Sequence, residues 1–156
     1  MAWEIERKFL VRNDSWRNSA GDGITMKQGY LATSPATVRV RVAGNEAFLT
    51  LKAGHQGIAR QEFEYPIPVA DAEMLLALCC NGSLVEKVRY PLMENGKLWT
   101  VDVFAGRNSG LVVAEIELSS IDESIEIPAW AGEDVSGDRR YSNAALVKHP
   151  FDTWEK

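Results

Sequence analysis

The feature that most constrains the fold is a period-two alternation of apolar and charged residues along many short segments. Such a period places successive side chains on opposite faces of a β-strand. The alternation is clear at residues 3–11, 38–42 and 99–103, and Asn95-Gly96 separates two such runs in the manner of a tight hairpin turn. We therefore predict about eight antiparallel strands with few helices, in an all-β or α+β domain.

On several of these predicted strands, the charged face carries residues of only one sign. Glu4 and Glu6 form one acidic pair, whereas Arg39 and Arg41 form a basic pair on another strand. Paired residues of this kind lie about 6.5–7 Å apart on one face, so each pair repels itself unless something neutralises it. A solvated face of an open sheet is the ordinary interpretation of any one strand. Because nearly all polar positions are ionisable, the set as a whole favours the shared interior of a closed barrel.

A charged barrel interior is costly unless its charges are paired or hold a ligand. Carboxylate pairs suit hard divalent cations such as Mg²⁺ or Mn²⁺, and the planar arginine fork suits phosphate oxygens. Zinc is not expected, because His55 and His149 lie apart from each other and from any cysteine cluster. The alternation therefore predicts a lumen for a polyanion together with divalent cations.

The helical signals are few. We predict a helix from Asp71 to Cys80, with Asp71 as the N-cap and Asn81-Gly82 as the stop. Its apolar stripe of Met74, Leu75 and Leu78 is expected to face the core. Shorter helical segments are predicted near residues 14–18 and 142–148.

Composition excludes several classes of protein. The 156 residues carry a net charge of −5, which argues against a general nucleic-acid binder. Adjacent Cys79 and Cys80 have no other cysteine partner, which suits a reducing compartment, and no apolar run reaches the length of a membrane helix. We expect a single domain over residues 1–156, located in the cytoplasm, with no nucleic-acid or membrane partner.

The ordered series of charged strands resembles the CYTH family, the triphosphate tunnel metalloenzymes. The opening Glu4-Ile5-Glu6-Arg7-Lys8 matches that family's ExExK motif. Further matches follow in order along nearly the whole chain at residues 28–31, 38–41, 50–52, 62–64, 86–90, 101–104, 115–117 and 138–143. The resemblance implies a closed eight-stranded antiparallel β-tunnel with a few peripheral helices, which binds a triphosphate with Mg²⁺ or Mn²⁺.

The resemblance also implies roles for individual residues. The metal-binding carboxylates would be Glu4, Glu6, Glu115 and Glu117. The phosphate-binding set would be Lys8, Arg39, Arg41, Lys52, Lys87, Arg89 and Arg140. The catalytic set would be Lys8, Glu62, Glu64 and Asp102, with Tyr30 as a candidate for substrate choice beside Gln28. Arg139, Ser142 and Ala145 depart from positions that are often lysine in relatives, which leaves open how many basic groups close the tunnel.

The function that the resemblance favours is metal-dependent hydrolysis of inorganic tripolyphosphate to pyrophosphate and phosphate. A class IV adenylate cyclase, a thiamine or nucleoside triphosphatase, and a non-catalytic polyphosphate or nucleotide binder are the alternatives. The expected partner is a small triphosphate, and a homodimer is compatible with the resemblance.

Overall fold

The architecture is dominated by β-strands. The computed structural model describes residues 2–80 and 83–155. Within them the strands are β1 Ala2–Val11, β2 Ile24–Ala32, β3 Thr37–Ala43, β4 Glu46–Gln56, β5 Ala59–Ile67, β6 Val85–Glu94, β7 Lys97–Phe104, β8 Val112–Glu117 and β9 Ala131–Asp134. The helices are α1 Val69–Cys79 and α2 Asn143–Lys148, with 3-10 turns at Asp14–Ser19, Gly106–Asn108, Arg139–Tyr141 and Phe151–Thr153.

The first eight strands form a closed barrel. Their order is β5-β4-β3-β2-β6-β7-β8-β1, and a further pairing between β5 and β1 completes the ring. Every pairing is antiparallel, and the closing one aligns Glu4 with Arg60. The short β9 adds to the outer part of β1 near Phe9 and Val11. The prediction of a closed eight-stranded antiparallel barrel is confirmed.

The hairpin turns follow the glycine and asparagine signals. Asn95 and Gly96 join β6 to β7 with φ values of 52° and 75°. Two successive positive φ angles characterise the turn whose twist matches that of paired strands, and Asn-Gly tolerates them best. The predicted hairpin is therefore confirmed.

The outward rows of the barrel pack against the segments that cross them. Trp99 of β7 contacts Phe9 of β1 and Trp130, with ring centroids 5.5 Å and 5.4 Å apart. Ile116 and Trp16 are buried in the same cluster. The apolar half of the alternation thus builds a core outside the barrel wall, which leaves the charged half inside.

One end of the barrel interior is apolar. Val85 and Phe104 belong to the same inward rows as Lys87 and Asp102, and they pack with Val113 and with Leu146 of α2. All four of these apolar side chains are buried. Helix α2, capped by the hydroxyl of Ser142 as its side chain accepts from the Ala145 N–H, therefore closes this end of the barrel.

Helix α1 differs from the prediction in its start and in its buried face. It begins after Pro68, which makes no side-chain cap, and Asp71 lies in the first turn. The expected core stripe is wrong for Met74 and Leu78, which are 60% and 71% exposed, whereas Leu75 packs against the buried cluster as predicted. The helix buries Ala72 and Leu76 instead, with Cys80 just beyond its end.

The physical reason for the difference lies in the small side chains. Ala72 and Cys80 let the helix approach β2 and β3 closely, and a Cβ on Gly29 would lie 2.6 Å from the Cys80 Sγ. The predicted stop at Asn81-Gly82 lies outside the described residues. Among the described helices, none is long and apolar enough to cross a membrane.

Candidate functional site

The barrel interior gathers charged side chains from all parts of the closed sheet. We call this group the lumen set. Its members are Glu4, Glu6, Lys8, Arg39, Arg41, Lys52, Arg60, Glu62, Glu64, Lys87, Arg89, Asp102, Glu115 and Glu117. The registers place them on the same inward face, because directly opposite residues of an antiparallel pair share a face.

Glu4 joins three strands at the seam where the barrel closes. Its Oε1 accepts a hydrogen bond from Lys52 Nζ at 3.1 Å and contacts Arg60 Nε at 3.4 Å. Lys52 Nζ also lies 3.2 Å from Glu62 Oε2. The group is nearly balanced in charge, so its main effect is to fix the seam between β1, β4 and β5.

Glu6 and Glu115 form a repulsive carboxylate pair. Burial and the nearby charge of Glu115 raise the pKa of Glu6 to about 7. Burial would also raise the pKa of Glu115, but Lys8 and Arg89 outweigh it and lower that pKa to about 2. Lys8 Nζ lies 3.8 Å from Glu115 Oε1. A cation placed between the two carboxylates would relieve the repulsion that Glu6 experiences.

Asp102 organises the most deeply buried ion group. Its Oδ2 accepts from Lys87 Nζ at 2.8 Å and from Arg89 at 2.8 Å, while its Oδ1 accepts from Arg89 Nε at 2.7 Å. Asn143 Oδ1 of α2 accepts a further hydrogen bond from Lys87 Nζ at 3.0 Å. The two cations hold the pKa of Asp102 well below its usual range, despite burial.

Lys87 is strongly desolvated. Burial lowers its pKa to about 7, because the charge of Asp102 is shared with Arg89 and compensates only in part. An amine with such a pKa changes its protonation state near neutral pH. Lys87 is therefore able to hold or release a proton at the apolar end of the lumen.

Arg39 is held from one side only. Its terminal nitrogen donates to Thr50 Oγ1 at 3.2 Å and to Glu64 Oε2 at 3.4 Å, and Thr50 in turn donates to Glu64 at 2.9 Å. The buried Nε of Arg39 has no partner among the described residues. An unpaired buried donor in a charged lumen is available to a ligand or to a water molecule.

Arg41 has no carboxylate partner in the described part of the chain. Its Nε donates to Gln28 Oε1 at 2.8 Å, and Gln28 Nε2 donates to the Tyr30 hydroxyl at 2.8 Å. Burial, with repulsion from Arg39 and Arg89, lowers the pKa of Arg41 to about 10. A desolvated guanidinium with a lowered pKa and no direct ion pair among the described residues gains most from an added anion.

One of the predicted site residues lies away from this interior, and another lies at its rim. Arg140 is 64% exposed, pairs with Asp138 and has its guanidinium carbon 4.9 Å from the Trp154 ring centroid. Glu117 lies opposite Glu6 on the inward face but is exposed at the end of β8. Arg140 is thus not brought together with the lumen set, and Glu117 lies at its rim.

No group of three or more His, Cys, Asp or Glu side chains among the described residues is arranged to hold a metal ion by itself. Mg²⁺ commonly takes only one or two carboxylates and completes its shell with water and phosphate oxygens. The Glu6–Glu115 pair has that chemistry.

Comparison with known proteins assigns the family. The CYTH domain profile matches residues 2–147. The chain is 41% identical to an inorganic triphosphatase of Acetivibrio thermocellus over the full length of both proteins. It belongs to the CYTH domain family. A second inorganic triphosphatase, from Nitrosomonas europaea, is 41% identical over 149 residues, which cover 92% of this chain and 96% of that protein.

Solved structures share the architecture. A crystal structure of an inorganic triphosphatase is 40% identical, covers 94% of this chain and 95% of its own, and superposes with a TM-score of 0.67. A conserved hypothetical protein of Pyrococcus furiosus is 19% identical over 76% of this chain and 80% of its own, with a TM-score of 0.57. At that lower identity the likeness concerns the fold alone.

Sequence reasoning missed several polar residues of the interior. Thr50 bridges Arg39 and Glu64, Arg60 contacts Glu4, and Asn143 contacts Lys87. Thr50 lies two residues before Lys52, and Arg60 lies two residues before Glu62, so each shares the inward face of its strand. This spacing could have identified both as interior residues. Asn143 lies on α2, and no strand pattern points to it.

Proposed function

We propose that this CYTH protein is a metal-dependent inorganic triphosphatase that hydrolyses tripolyphosphate to pyrophosphate and phosphate. The observation that carries the proposal is Arg41, a half-buried cation without a carboxylate partner in the described lumen. Its neighbour Arg39 also has an unpartnered buried Nε. Two adjacent guanidinium groups with free donors favour binding of a compact polyanion.

The lumen set divides into a phosphate side and a cation side. Arg41 and the unpaired Nε of Arg39 on β3 would bind phosphate oxygens directly. The cations that are paired with carboxylates would share their charge with the substrate, and these are Lys8, Lys52, Lys87 and Arg89. Glu6 and Glu115 would hold Mg²⁺ or Mn²⁺ together with phosphate oxygens, with Glu117 at the rim. The inorganic triphosphatases that share 41% identity support this choice of substrate.

The reaction would be an in-line attack of water on a terminal phosphorus, with pyrophosphate as the leaving group. A bound divalent cation would neutralise phosphate oxygens and so lower the repulsion that the incoming oxygen meets. Arg39, Arg41 and Arg89 would stabilise the negative charge that spreads over the phosphoryl and leaving oxygens. Ion pairs with Glu64 and Asp102 orient Arg39 and Arg89, and the hydrogen bond to Gln28 orients Arg41, before substrate arrives.

Proton movement has two candidates in the lumen. Lys87, with a pKa of about 7, can accept a proton in its neutral form or donate one as an ammonium. Glu6, also with a pKa of about 7, lies on the cation side. Lys87 is the better candidate, since a cation at Glu6 would keep that carboxylate ionised. Glu62, Glu64 and Asp102 would act by orienting Lys52, Arg39 and Arg89.

The test is a substrate panel. Phosphate release is measured from tripolyphosphate, ATP, GTP, thiamine triphosphate and pyrophosphate, each with Mg²⁺ and with Mn²⁺, and cyclic AMP is assayed in parallel. We expect the highest kcat/KM for tripolyphosphate and poor turnover of pyrophosphate, which is too short to reach both sides of the lumen. Faster turnover of ATP or accumulation of cyclic AMP would replace the proposal by a nucleotide-specific function. Tight binding without turnover would replace it by a binding role.

Arg41→Ala and Arg107→Ala form a matched pair for the same panel. Arg107 is a surface residue that pairs with Asp152 outside the lumen. We expect Arg41→Ala to lose activity on tripolyphosphate and Arg107→Ala to retain it. Equal activity of the two variants would contradict the assignment of the phosphate site.

A further inference from the structure

Gln28 is an uncharged side chain enclosed in the charged lumen. It lies on β2, is 0% exposed, and directly opposes Arg41 across the β2–β3 pair. Tyr30, two residues further along the same face, opposes Arg39. Both polar ends of the Gln28 amide are used, one by Arg41 and one by Tyr30.

The chemistry of arginine fixes the orientation of this amide. The Nε of Arg41 can only donate, so the group 2.8 Å away must be the Gln28 oxygen. The Gln28 nitrogen then faces the Tyr30 hydroxyl at 2.8 Å, and an amide nitrogen can only donate. The Tyr30 oxygen is therefore the acceptor in this contact.

This leaves the Tyr30 proton free. A phenol whose oxygen already accepts a hydrogen bond must donate its own proton elsewhere, and no acceptor for it lies within bonding distance among the described residues. The terminal nitrogens of Arg41 are likewise without a described partner. Both sets of unused donors lie beside Arg39, whose buried Nε is also unpaired.

We propose that Gln28 is a positioning residue that makes Tyr30 a hydrogen-bond donor to a phosphate oxygen and aligns Arg41 toward the same anion. The inference rests on the proposed triphosphatase function. It adds that the part of the site around Tyr30 and Arg41 presents hydrogen-bond donors to the substrate. A phosphate oxygen that meets the Tyr30 hydroxyl, Arg41 and the Arg39 Nε meets donors only, so an ionised oxygen is favoured over a P–OH at that position. Tyr30 and Arg41 touch the substrate, and Gln28 acts through them.

The experiment is a double-mutant cycle of Gln28→Met and Tyr30→Phe, with kcat and KM for tripolyphosphate measured separately. Methionine keeps the length of glutamine but cannot hydrogen-bond, and Tyr30→Phe removes only the hydroxyl. We expect each single variant to lower kcat by about 10- to 100-fold, the size of one hydrogen bond to a charged group. We expect the double variant to lose much less than the product of the two single losses, because both changes remove the same oriented donor.

The control and a second variant keep the test decisive. Lys27→Met lies on the outward face of the same strand, where Lys27 pairs with Glu73 of α1, and it should retain wild-type kcat. Gln28→Glu offers a carboxylate that accepts from both neighbours, so Tyr30 donates to it rather than to substrate. In a Tyr30→Phe background the loss caused by Gln28→Glu should shrink, and this second cycle replaces the first if Gln28→Met does not fold.

The outcomes separate the inference from the function on which it rests. Multiplicative losses in the cycle, or losses confined to KM, overturn the positioning role of Gln28 while wild-type triphosphatase activity stands. A wild-type protein that does not hydrolyse tripolyphosphate overturns the proposed function, and the inference with it.

Discussion

Replacement of Asp102 by asparagine tests whether the ion pairs of the lumen hold the barrel together. Asp102 is 1% exposed and accepts three charge-assisted hydrogen bonds from Lys87 and Arg89. Asparagine has nearly the same shape, but it removes the negative charge and turns one acceptor into a donor that faces a cation. The variant therefore removes the carboxylate that Lys87 and Arg89 share, which leaves Arg89 with only its 3.5 Å contact to Glu115 and favours the neutral form of Lys87.

The expected cost follows from the burial of the group. Removal of one partner from a buried ion pair lowers the free energy of unfolding by about 3–5 kcal/mol. The matched control is Asp134→Asn, since the side chain of Asp134 is 39% exposed and bonds Arg7 at 2.8 Å on the outer surface. An exposed pair contributes only about 0.2–1 kcal/mol.

Urea unfolding at pH 7, monitored by tryptophan fluorescence, measures both variants. The slope with denaturant should be unchanged, so that the shift of the midpoint reports stability. Added tripolyphosphate with Mg²⁺ should recover part of the loss in Asp102→Asn, because the anion supplies negative charge to Lys87 and Arg89. A loss below 1 kcal/mol, or one equal to that of Asp134→Asn, would refute the view that Asp102 neutralises the inner end of the lumen.

Three further outcomes are expected. Arg41→Ala should lower kcat/KM for tripolyphosphate by about 2–4 kcal/mol of transition-state stabilisation, roughly 30- to 1,000-fold, in a phosphate-release assay. Its melting temperature should hold, since Arg41 has no described ion pair to lose. In chelator, the contribution of Glu6 to wild-type stability should fall as pH rises from about 4.3 to 7, because its raised pKa means that the folded state binds more protons in that window. Glu6→Gln should flatten this slope in thermal melts at pH 5 and pH 7. EDTA should abolish turnover and Mg²⁺ should restore it, whereas persistent activity in metal-free protein would rule out a role for divalent cations.

The barrel was predictable because its information is local. A residue at i and another at i+2 share a face regardless of what lies beyond, so Lys87 and Arg89 were assigned to the same face from sequence alone. The same alternation puts Asp102 on the charged face of the next strand, whereas its role as a partner of the basic residues is implied only by the family resemblance; the structure places it opposite Arg89. The like-charged pairs on each strand further indicated that these charged faces meet in one barrel interior.

Helices gave weaker information. Helix α1 is apolar on several sides, so its sequence does not define a single buried face, and contact with Gly29 decides in favour of Ala72, Leu76 and Cys80. The closure of one barrel end by Leu146 and the contact of Asn143 with Lys87 depend on where α2 docks. The position at which a helix docks on a distant part of the chain produces no periodic pattern in the sequence.

The charge balance of the lumen leads to a last prediction about the form in which substrate binds. The lumen set contains seven cations, Lys8, Arg39, Arg41, Lys52, Arg60, Lys87 and Arg89, and seven carboxylates, Glu4, Glu6, Glu62, Glu64, Asp102, Glu115 and Glu117. A free polyanion would unbalance this interior, but a polyanion that arrives with divalent cations would not, and those cations would also relieve the repulsion between Glu6 and Glu115. Calorimetric titration with tripolyphosphate should therefore show tighter binding in Mg²⁺ than in EDTA for a catalytically impaired variant such as Tyr30→Phe. In Glu6→Gln, where that repulsion is already relieved, the gain from Mg²⁺ should shrink. Equal affinity with and without Mg²⁺ would mean that the basic side chains alone set binding, and that the carboxylates serve only to orient them.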